Sequence, residues 1–380
     1  MVSDLIPVLW LCGPPGIGKT SVGWEIFTQL TQAGLEAGYV DIDQLGICYP
    51  EPASDPGRHR MKARNLGAVV ANYRAAGARC VIVSGVVDPG RGVPADLIPR
   101  AAVTVCRLRA GRDELRQRIL GRGDQAGLLE EVLSQADAMD ASDVADVCVD
   151  TSGLAAAEAA RLVRERIAGW PMLTGPVRSD KSGPHESRAT AADGPVLVLC
   201  GATGVGKSTA GFEVYRRTLR AGSAAAYVDL DQIGFCRPVS AGDTGGHRVK
   251  ARNLAALWHT YRSAGAQCLI ASGPVESEAA AQAYAGALPR AAITLCRLHA
   301  GAGELTRRIM LRGHGGSWPQ PGDPLVGQPT AYLLRVAASA IAEAEALERA
   351  MTGALRIDTG GLTVEETADL IAARIRSARG

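Results

Sequence analysis

The sequence predicts an α/β protein of two similar domains, each a parallel β-sheet with helices on both faces. Short apolar runs alternate with helix-compatible stretches along the chain, which is typical of a parallel sheet. A glycine-rich loop follows the first apolar run. The same order recurs in the second half of the 380 residues, a length at which one core usually splits into two.

In the first half, the apolar runs predict strands at residues 7–12, 38–43, 80–84, 102–108 and 147–150. Helices are predicted at 21–33, 61–76, 111–120, 127–138 and 154–168, the first of them stopped by Gly34. Apolar runs without helical periodicity are typical of strands that are buried on both faces. Ligands of such a sheet bind at the carboxyl ends of its strands.

An internal repeat organises the chain. Residues 59–85 and 247–273 align without gaps, with 17 of 27 positions identical. The offset is 188 up to this block and 208 by Asp150 and Asp358, so the second copy carries late insertions. We therefore predict domains at 1–172 and 194–380, joined by a flexible, polar, Gly/Pro-rich linker at 173–193. The two domains would form an intramolecular pseudo-dimer.

Composition excludes several classes of protein. With 41 basic and 39 acidic residues the formal charge is +2, so nucleic acid is an unlikely partner. No apolar run is long enough to span a bilayer, and we expect no membrane contact and no signal peptide. The nine cysteines lack metal-binding spacing, and most close apolar runs. They indicate reduced thiols in a cytoplasmic protein.

Two glycine-rich loops give the strongest indication of function in the sequence. Residues 13–20 and 201–208 both fit G-x-x-x-x-G-K-[ST], the phosphate-binding (P-loop) pattern. Glycines let successive backbone N–H groups face phosphate oxygens, and the following helix adds its dipole. The predicted phosphate-binding residues are Gly13, Gly16, Gly18, Lys19, Thr20 and Ser21, and Gly201, Gly204, Gly206, Lys207, Ser208 and Thr209. Because no N-K-x-D guanine-reading motif occurs, ATP is favoured over GTP.

A pair of acids ends the second predicted strand of each copy. On a strand, Asp41 and Asp43 would point to one face. One carboxylate would then help to hold Mg²⁺, and the other would orient or deprotonate an attacking hydroxyl. The metal candidates are Thr20, Asp41, Ser208 and Asp229, and the second acids are Asp43 and Asp231. Alternatively, the acids merely close a strand and cap the following turn.

Further candidates follow the second and third strands. Arg64 and Arg252 lie on the helix of the repeated block, where a guanidinium suits a carboxylate or phosphate of a bound substrate. A solvated helix face is the alternative. Gly85 and Gly273 would let substrate approach the backbone closely. Ser84 and Ser272, which precede these glycines, stand where an acid is often found and could hydrogen-bond a magnesium water.

Arginines four residues apart end a later helix in each copy. Arg118 and Arg122, with Arg308 and Arg312 in the second copy, would form a lid that brings positive charge to a transferring phosphoryl group. The alternative is that they complement the dipole at the helix end.

This layout resembles the shikimate, gluconate and adenylate kinase group of P-loop phosphotransferases over nearly all of each copy. The resemblance implies a five-stranded parallel sheet, Lys19 and Lys207 on the phosphates, and Asp43 and Asp231 as base or orienting groups. After the third strand, Ser-Gly-Val and Ser-Gly-Pro depart from the Gly-Gly-Gly of shikimate kinases. The acceptor therefore stays open.

We expect an ATP-dependent kinase that uses Mg²⁺ to phosphorylate a small metabolite or nucleotide from two tandem sites. A nucleotide-binding regulatory module with slow ATP hydrolysis is the main alternative. A nucleic-acid end kinase is disfavoured by the near-neutral charge and by the lack of an aromatic-basic stripe.

Overall fold

The computed structural model describes residues 5–121, 126–167, 169–171, 192–239, 242–315, 323–350 and 354–379. The chain forms two compact units. Unit 1 comprises residues 1–46, 55–187 and 235–244, and unit 2 comprises 47–54, 188–234 and 245–380. Each unit therefore includes a short segment from the other half of the sequence. Most of the predicted linker at 173–193 lies outside the described residues.

Unit 1 contains a six-stranded sheet in the order β6-β5-β1-β4-β2-β9. Its strands are β1 (Ile6–Cys12), β2 (Ala37–Asp41), β4 (Cys80–Ser84), β5 (Ala101–Arg109), β6 (Val147–Asp150) and β9 (Cys236–Arg237). Its helices are α1 (Lys19–Gln32), α2 (His59–Ala75), α3 (Arg112–Leu120), α4 (Leu129–Asp140) and α5 (Ala156–Arg166). Every residue of β1 is buried, as expected of a central parallel strand covered on both faces.

Unit 2 contains a sheet of the same form, in the order β12-β11-β7-β10-β8-β3. Its strands are β3 (Cys48–Tyr49), β7 (Gly194–Cys200), β8 (Ala225–Asp229), β10 (Cys268–Ser272), β11 (Ala291–His299) and β12 (Leu355–Asp358). Its helices are α6 (Lys207–Arg220), α7 (His247–Ser263), α8 (Glu278–Ala287), α9 (Ala302–Gly313), α10 (Thr330–Ala350) and α11 (Val364–Arg379).

The sixth strand of each sheet corrects the prediction of five parallel strands. Strand β9 pairs antiparallel with β2, and Tyr39 donates its backbone N–H to the carbonyl of Phe235 at 2.8 Å. The Phe235 ring also packs edge-on against Trp24, with centroids 4.7 Å apart. Strand β3 pairs with β8 in the same way. A strand of two residues is too short to leave a periodic pattern in the sequence, so it was not predicted.

Most predicted elements of unit 1 lie within two residues of the observed ones. The predicted strand 38–43 meets this limit but includes residues that are not in a strand, because β2 ends at Asp41 and a 3-10 helix, Ile42–Gly46, follows it. Asp43 therefore lies on a helical turn, and the expectation that both acids share one face of a strand was wrong. Among the described residues, no helix combines the length and the apolar character needed to cross a membrane.

Candidate nucleotide and acceptor site

The first P-loop places its three glycines in backbone conformations that favour glycine. Gly13, Gly16 and Gly18 have φ values of 144°, 80° and 98°. A Cβ at Gly13 would lie 2.6 Å from the carbonyl oxygen of Leu108, and one at Gly16 would lie 2.5 Å from Cδ1 of Ile119. Around Gly18, no described atom lies within 4 Å of such a Cβ. The loop is thus packed on one side and open where α1 begins.

The second P-loop repeats this geometry, with φ values of 141°, 81° and 96° at Gly201, Gly204 and Gly206. A Cβ at Gly201 would lie 2.4 Å from the carbonyl oxygen of Leu298. At Gly206 the nearest atom is Nη1 of Arg308, at 3.8 Å. Both loops therefore have an open helix start, a feature that in other proteins can bind phosphate through backbone N–H groups.

The loop lysines begin the helices and fold back over the loops. Lys19 donates from Nζ to the carbonyl of Pro14 at 2.9 Å. Lys207 donates to the carbonyls of Gly201 and Ala202 at 2.7 and 3.0 Å. Each ammonium therefore lies beside the loop, where phosphate oxygens could replace the carbonyls. The predicted Ser21 and Thr209 lie in the first turns of α1 and α6.

A buried carboxylate lies beside the hydroxyl of each loop. Thr20 donates from Oγ1 to Oδ2 of Asp41 at 3.1 Å, and Ser84 donates to the same oxygen at 3.2 Å. The Ser84 hydroxyl also lies 2.8 Å from that of Tyr39. Burial raises the pKa of Asp41, and the nearby charge of Asp43 adds to the effect. The predicted metal residues Thr20 and Asp41 are therefore in direct contact.

Unit 2 contains a similar network, in which two of the contacts are shorter. Ser208 donates to Oδ2 of Asp229 at 2.7 Å, and the hydroxyls of Tyr227 and Ser272 lie 2.6 Å apart. Burial, followed by the charge of Asp231, raises the pKa of Asp229 to about 6. The hydrogen bond from Ser208 opposes the shift, because it stabilises the ionised carboxylate.

The second acid of each pair is held by a lysine that was not among the predicted site residues. Asp43 donates its backbone N–H to Oδ1 of Asp41 at 3.0 Å, and Lys62 contacts Oδ1 of Asp43 at 2.6 Å. The Asp43 side chain is 52% exposed, whereas that of Lys62 is 15% exposed. In unit 2, Lys250 contacts Oδ1 of Asp231 at 2.8 Å.

Glycines make room for these lysines. A Cβ at Gly46 would lie 2.6 Å from Cε of Lys62, and one at Gly234 would lie 2.5 Å from Cε of Lys250. The sequence did contain a pattern that indicates these lysines. Both copies keep the lysine within the aligned repeat and a glycine 16 positions before it.

The predicted substrate arginines lie elsewhere on the same helices. Arg64 on α2 and Arg252 on α7 are exposed, and the structure shows neither of them contacting the acids. The predicted Gly85 and Gly273 follow β4 and β10 with φ of 149° and 159°. A Cβ at Gly85 would lie 1.9 Å from Cγ2 of Ile42. Close packing against the residue between the two acids therefore accounts for glycine at this position.

Two of the predicted lid arginines, Arg118 and Arg308, connect the P-loop to the residue that follows β6 or β12. Arg118 donates to the carbonyls of Ile17 and Thr151 at 3.0 and 3.1 Å and pairs with Glu114. Its counterpart Arg308 donates to the carbonyl of Val205 at 2.8 Å, to that of Thr359 at 2.7 Å, and pairs with Glu304. Arg312 pairs with the buried Asp323 at 2.6 Å. The predicted Arg122 lies outside the described residues.

The residues at the loop fit a magnesium-nucleotide site. Mg²⁺ usually takes one or two protein oxygens and completes its octahedron with phosphates and water. Thr20 with Asp41, and Ser208 with Asp229, supply two such oxygens each. Within the described ranges there is no group of three or more His, Cys, Asp or Glu residues that could hold a metal by itself.

Comparisons with known proteins give similarity to solved structures only. No protein-family model and no curated protein matches the chain. A gluconokinase from Sinorhizobium meliloti is 14% identical, with a TM-score of 0.32, over 49% of this chain and 94% of its own. A shikimate kinase from Bacteroides thetaiotaomicron is 15% identical, with a TM-score of 0.32, over 48% of this chain and 98% of its own. An APS kinase from Mycobacterium tuberculosis, in complex with AMPPNP and APS, is 16% identical, with a TM-score of 0.29, over 48% of this chain and 98% of its own. Because these TM-scores lie below 0.5, the functional proposal rests on the site residues alone.

Proposed function

We propose that the protein is an ATP-dependent phosphotransferase that moves the γ-phosphate of ATP to a hydroxyl group of a small molecule. One arrangement carries the proposal. The P-loop hydroxyl of Thr20 contacts the buried Asp41, and the half-exposed Asp43 follows two residues later. A loop for phosphates, two oxygens for Mg²⁺ and a separate solvent-facing carboxylate are the groups that phosphoryl transfer requires.

Mg·ATP would supply the phosphoryl group, Thr20 and Asp41 would hold the metal, and Lys19 would hold the phosphates. Lys62 fixes Oδ1 of Asp43, and among the described residues none donates a hydrogen bond to Oδ2. That oxygen is the proposed acceptor of the hydroxyl proton. As the proton moves to Asp43, the acceptor oxygen bonds to the γ-phosphorus, the bond to the β,γ-bridging oxygen breaks, and ADP leaves.

Arginines neutralise the charge that spreads over the transferring group in this proposal. Arg118 and Arg308 hold the P-loops through carbonyl contacts. Exchange of those carbonyls for phosphate oxygens would let them act at the nucleotide, and Arg122 and Arg312 would act with them. Arg64 and Arg252, which are exposed on the helices that carry the lysines, would contact the outer part of an acceptor.

The test is ADP release from Mg·ATP against a panel of sugars, sugar acids, nucleosides and nucleotides. Wild type is compared with Lys19→Ala and Lys207→Ala. We expect one compound to stimulate release and at least one substitution to abolish that stimulation. If ATP binds but no compound stimulates release, the phosphotransferase proposal fails and the regulatory ATPase alternative takes its place.

A further inference from the structure

The second P-loop hydrogen-bonds to a carboxylate on a helix that lies far along the chain. Thr203 donates its backbone N–H to Oε2 of Glu343 at 3.0 Å, and its hydroxyl donates to the same oxygen at 3.3 Å. Glu343 is half-buried on α10, 140 residues after Thr203. The loop that the proposed function assigns to phosphates therefore already binds an anionic group of the protein.

This carboxylate lies close to the loop lysine. The N–H of Thr203 and the carbonyl of Ala202 belong to one peptide group, and that carbonyl accepts from Nζ of Lys207 at 3.0 Å. Because only one peptide group separates them, Oε2 of Glu343 lies within about 9 Å of the ammonium. Partly buried charges at this separation still interact, because salt and water screen them incompletely.

No cationic side chain neutralises Glu343. Among the residues that the structure describes, it forms no ion pair with an arginine, lysine or histidine, and its contacts are those with Thr203. By contrast, Glu304 and Glu348 of the same unit both pair with arginines. The charge of Glu343 therefore opposes that of Lys207 and would repel a phosphate group bound beside the lysine.

The first P-loop lacks the donors of this contact. Its residue at the position of Thr203 is Pro15, which has neither a backbone N–H nor a hydroxyl. The carbonyl of Pro14 still accepts from Lys19 at 2.9 Å, so the lysine contact is kept. Unit 1 therefore cannot bond a carboxylate at this peptide group.

Unit 1 lacks the acid as well. Asp140 on α4 and Glu348 on α10 each pair with an arginine of a neighbouring strand, which matches the two helices at an offset of 208. The position of Glu343 then falls on Gln135, a neutral residue that donates to Glu131 of its own helix at 3.2 Å. Two sequence differences, one in the loop and one on the helix, thus give the contact to unit 2 alone.

We propose that the carboxylate of Glu343 weakens nucleotide binding by unit 2, so that unit 1 takes up Mg·ATP at lower concentration. The inference rests on the proposed function, because it uses the assignment of the loops to phosphates. A bound triphosphate would place negative charge beside Lys207, where the carboxylate opposes it. One unit charge at this distance corresponds to a difference in Kd of about tenfold.

The first test is a calorimetric titration of the full-length protein with Mg·AMPPNP. Lys19→Ala weakens the first site, so the titration then reports on unit 2. In this background Glu343→Gln should lower the Kd about tenfold, because the amide oxygen can keep the contact with Thr203 while the charge is lost. An unchanged or higher Kd would overturn the inference. Wild type that binds no nucleotide at all would instead remove the proposed function, so the two failures are distinct.

Glu345→Gln is the matched control. Glu345 is exposed on the same helix and forms no hydrogen bond or ion pair within the described parts of the chain. Its substitution removes the same charge and should change the Kd by less than about twofold. If it lowers the Kd as much as Glu343→Gln does, the contact with the loop is not the cause and the inference fails.

Salt separates an effect of charge from an effect on the shape of the loop. Dissolved ions screen charges, so the advantage of Glu343→Gln should shrink from about tenfold at about 50 mM KCl to about twofold at about 500 mM. A ratio of Kd values that does not change with salt would contradict the electrostatic origin of the effect.

The reverse exchange builds the contact into unit 1. In a Lys207→Ala background, Pro15→Thr combined with Gln135→Glu should raise the Kd of the first site about tenfold. Ser134→Glu, at the exposed position beside Gln135, is the control and should leave the Kd within about twofold. If the double variant unfolds at the temperature of its parent and binds Mg·AMPPNP equally well, the inference is overturned.

Discussion

Nζ of Lys62 lies 2.6 Å from Oδ1 of Asp43, and Lys250 makes the same contact with Asp231 at 2.8 Å. The lysine side chains are 15% and 8% exposed, and the aspartates are half exposed. Each lysine, which is much less exposed than its partner, thus fixes one oxygen of a half-exposed carboxylate. A contact of this kind orients the carboxylate, whereas an ion pair between two exposed side chains would not.

Removal of Lys62 should impair transfer without impairing nucleotide binding. We expect Lys62→Met to lower acceptor-stimulated kcat by about 10- to 100-fold, because a carboxylate released from its position loses alignment with the hydroxyl. The Kd for ATP, measured by calorimetry, should stay within error of wild type, since among the described residues Lys62 makes no hydrogen bond or ion pair with the loop.

Arg60→Met is the matched control, because Arg60 lies on the same helix but is exposed, and among the described residues it makes no hydrogen bond or ion pair with Asp43. We expect it to alter kcat much less than Lys62→Met does. Equal losses in the two variants would assign the effect to the charge of α2 and not to the contact with Asp43.

Sequence alone predicted the glycine-rich loops, the position of the first acids at the ends of the second strands and the alternation of strands and helices, because each depends on residues that are close in the chain. The contact between Lys62 and Asp43 depends on how α2 packs against the turn after β2, which no local pattern specifies. Strand β9 depends on pairing across about 200 residues of sequence. The sequence analysis named Arg64 on this helix because a guanidinium suits anions, and it did not consider Lys62, whose position depends on packing against Gly46.

Gly85 should be intolerant of any side chain. Its φ is 149°, and a Cβ would meet Ile42 at 1.9 Å, so we expect Gly85→Ala to destabilise the protein by about 3 kcal/mol. Gly77→Ala is the control, with φ of 104° but no described atom within 4 Å, and should cost about 1 kcal/mol.

The double variant Gly85→Ala/Ile42→Ala separates steric overlap from backbone strain. If overlap with Ile42 dominates, the second substitution should add less destabilisation than it causes alone. Urea unfolding followed by circular dichroism gives both values. Additive effects would show that the backbone conformation, and not the packing, requires glycine.

The cysteines should differ sharply in reactivity. Burial raises the pKa of Cys12, Cys80, Cys106, Cys200 and Cys296 to about 12. Only the thiolate reacts with iodoacetamide, so these residues should stay unlabelled at pH 8 in the folded protein. Cys148 is exposed and should be labelled first. Labelling in urea should reach all nine, and rapid native labelling of Cys12 would contradict the buried β1.

The buried Asp229 should make stability depend on pH. Its pKa is raised from 3.8 to about 6 by burial, so the folded protein binds the proton more tightly than the unfolded chain does. The contribution of Asp229 to stability should therefore be greatest at pH below 4, fall as the pH rises from about 4 to 6, and stay level above that range.

Asp229→Asn removes this titration and keeps an amide that can bond to Ser208 and to the backbone of Asp231. Relative to wild type, the variant should gain about 2 kcal/mol between pH 4 and pH 7.5 when neither nucleotide nor magnesium is present. Thermal unfolding at the two pH values measures the gain, with Asp231→Asn at the half-exposed neighbouring acid as the control. A gain of the same size at both pH values would show that the carboxylate is not buried in an environment that disfavours its charge.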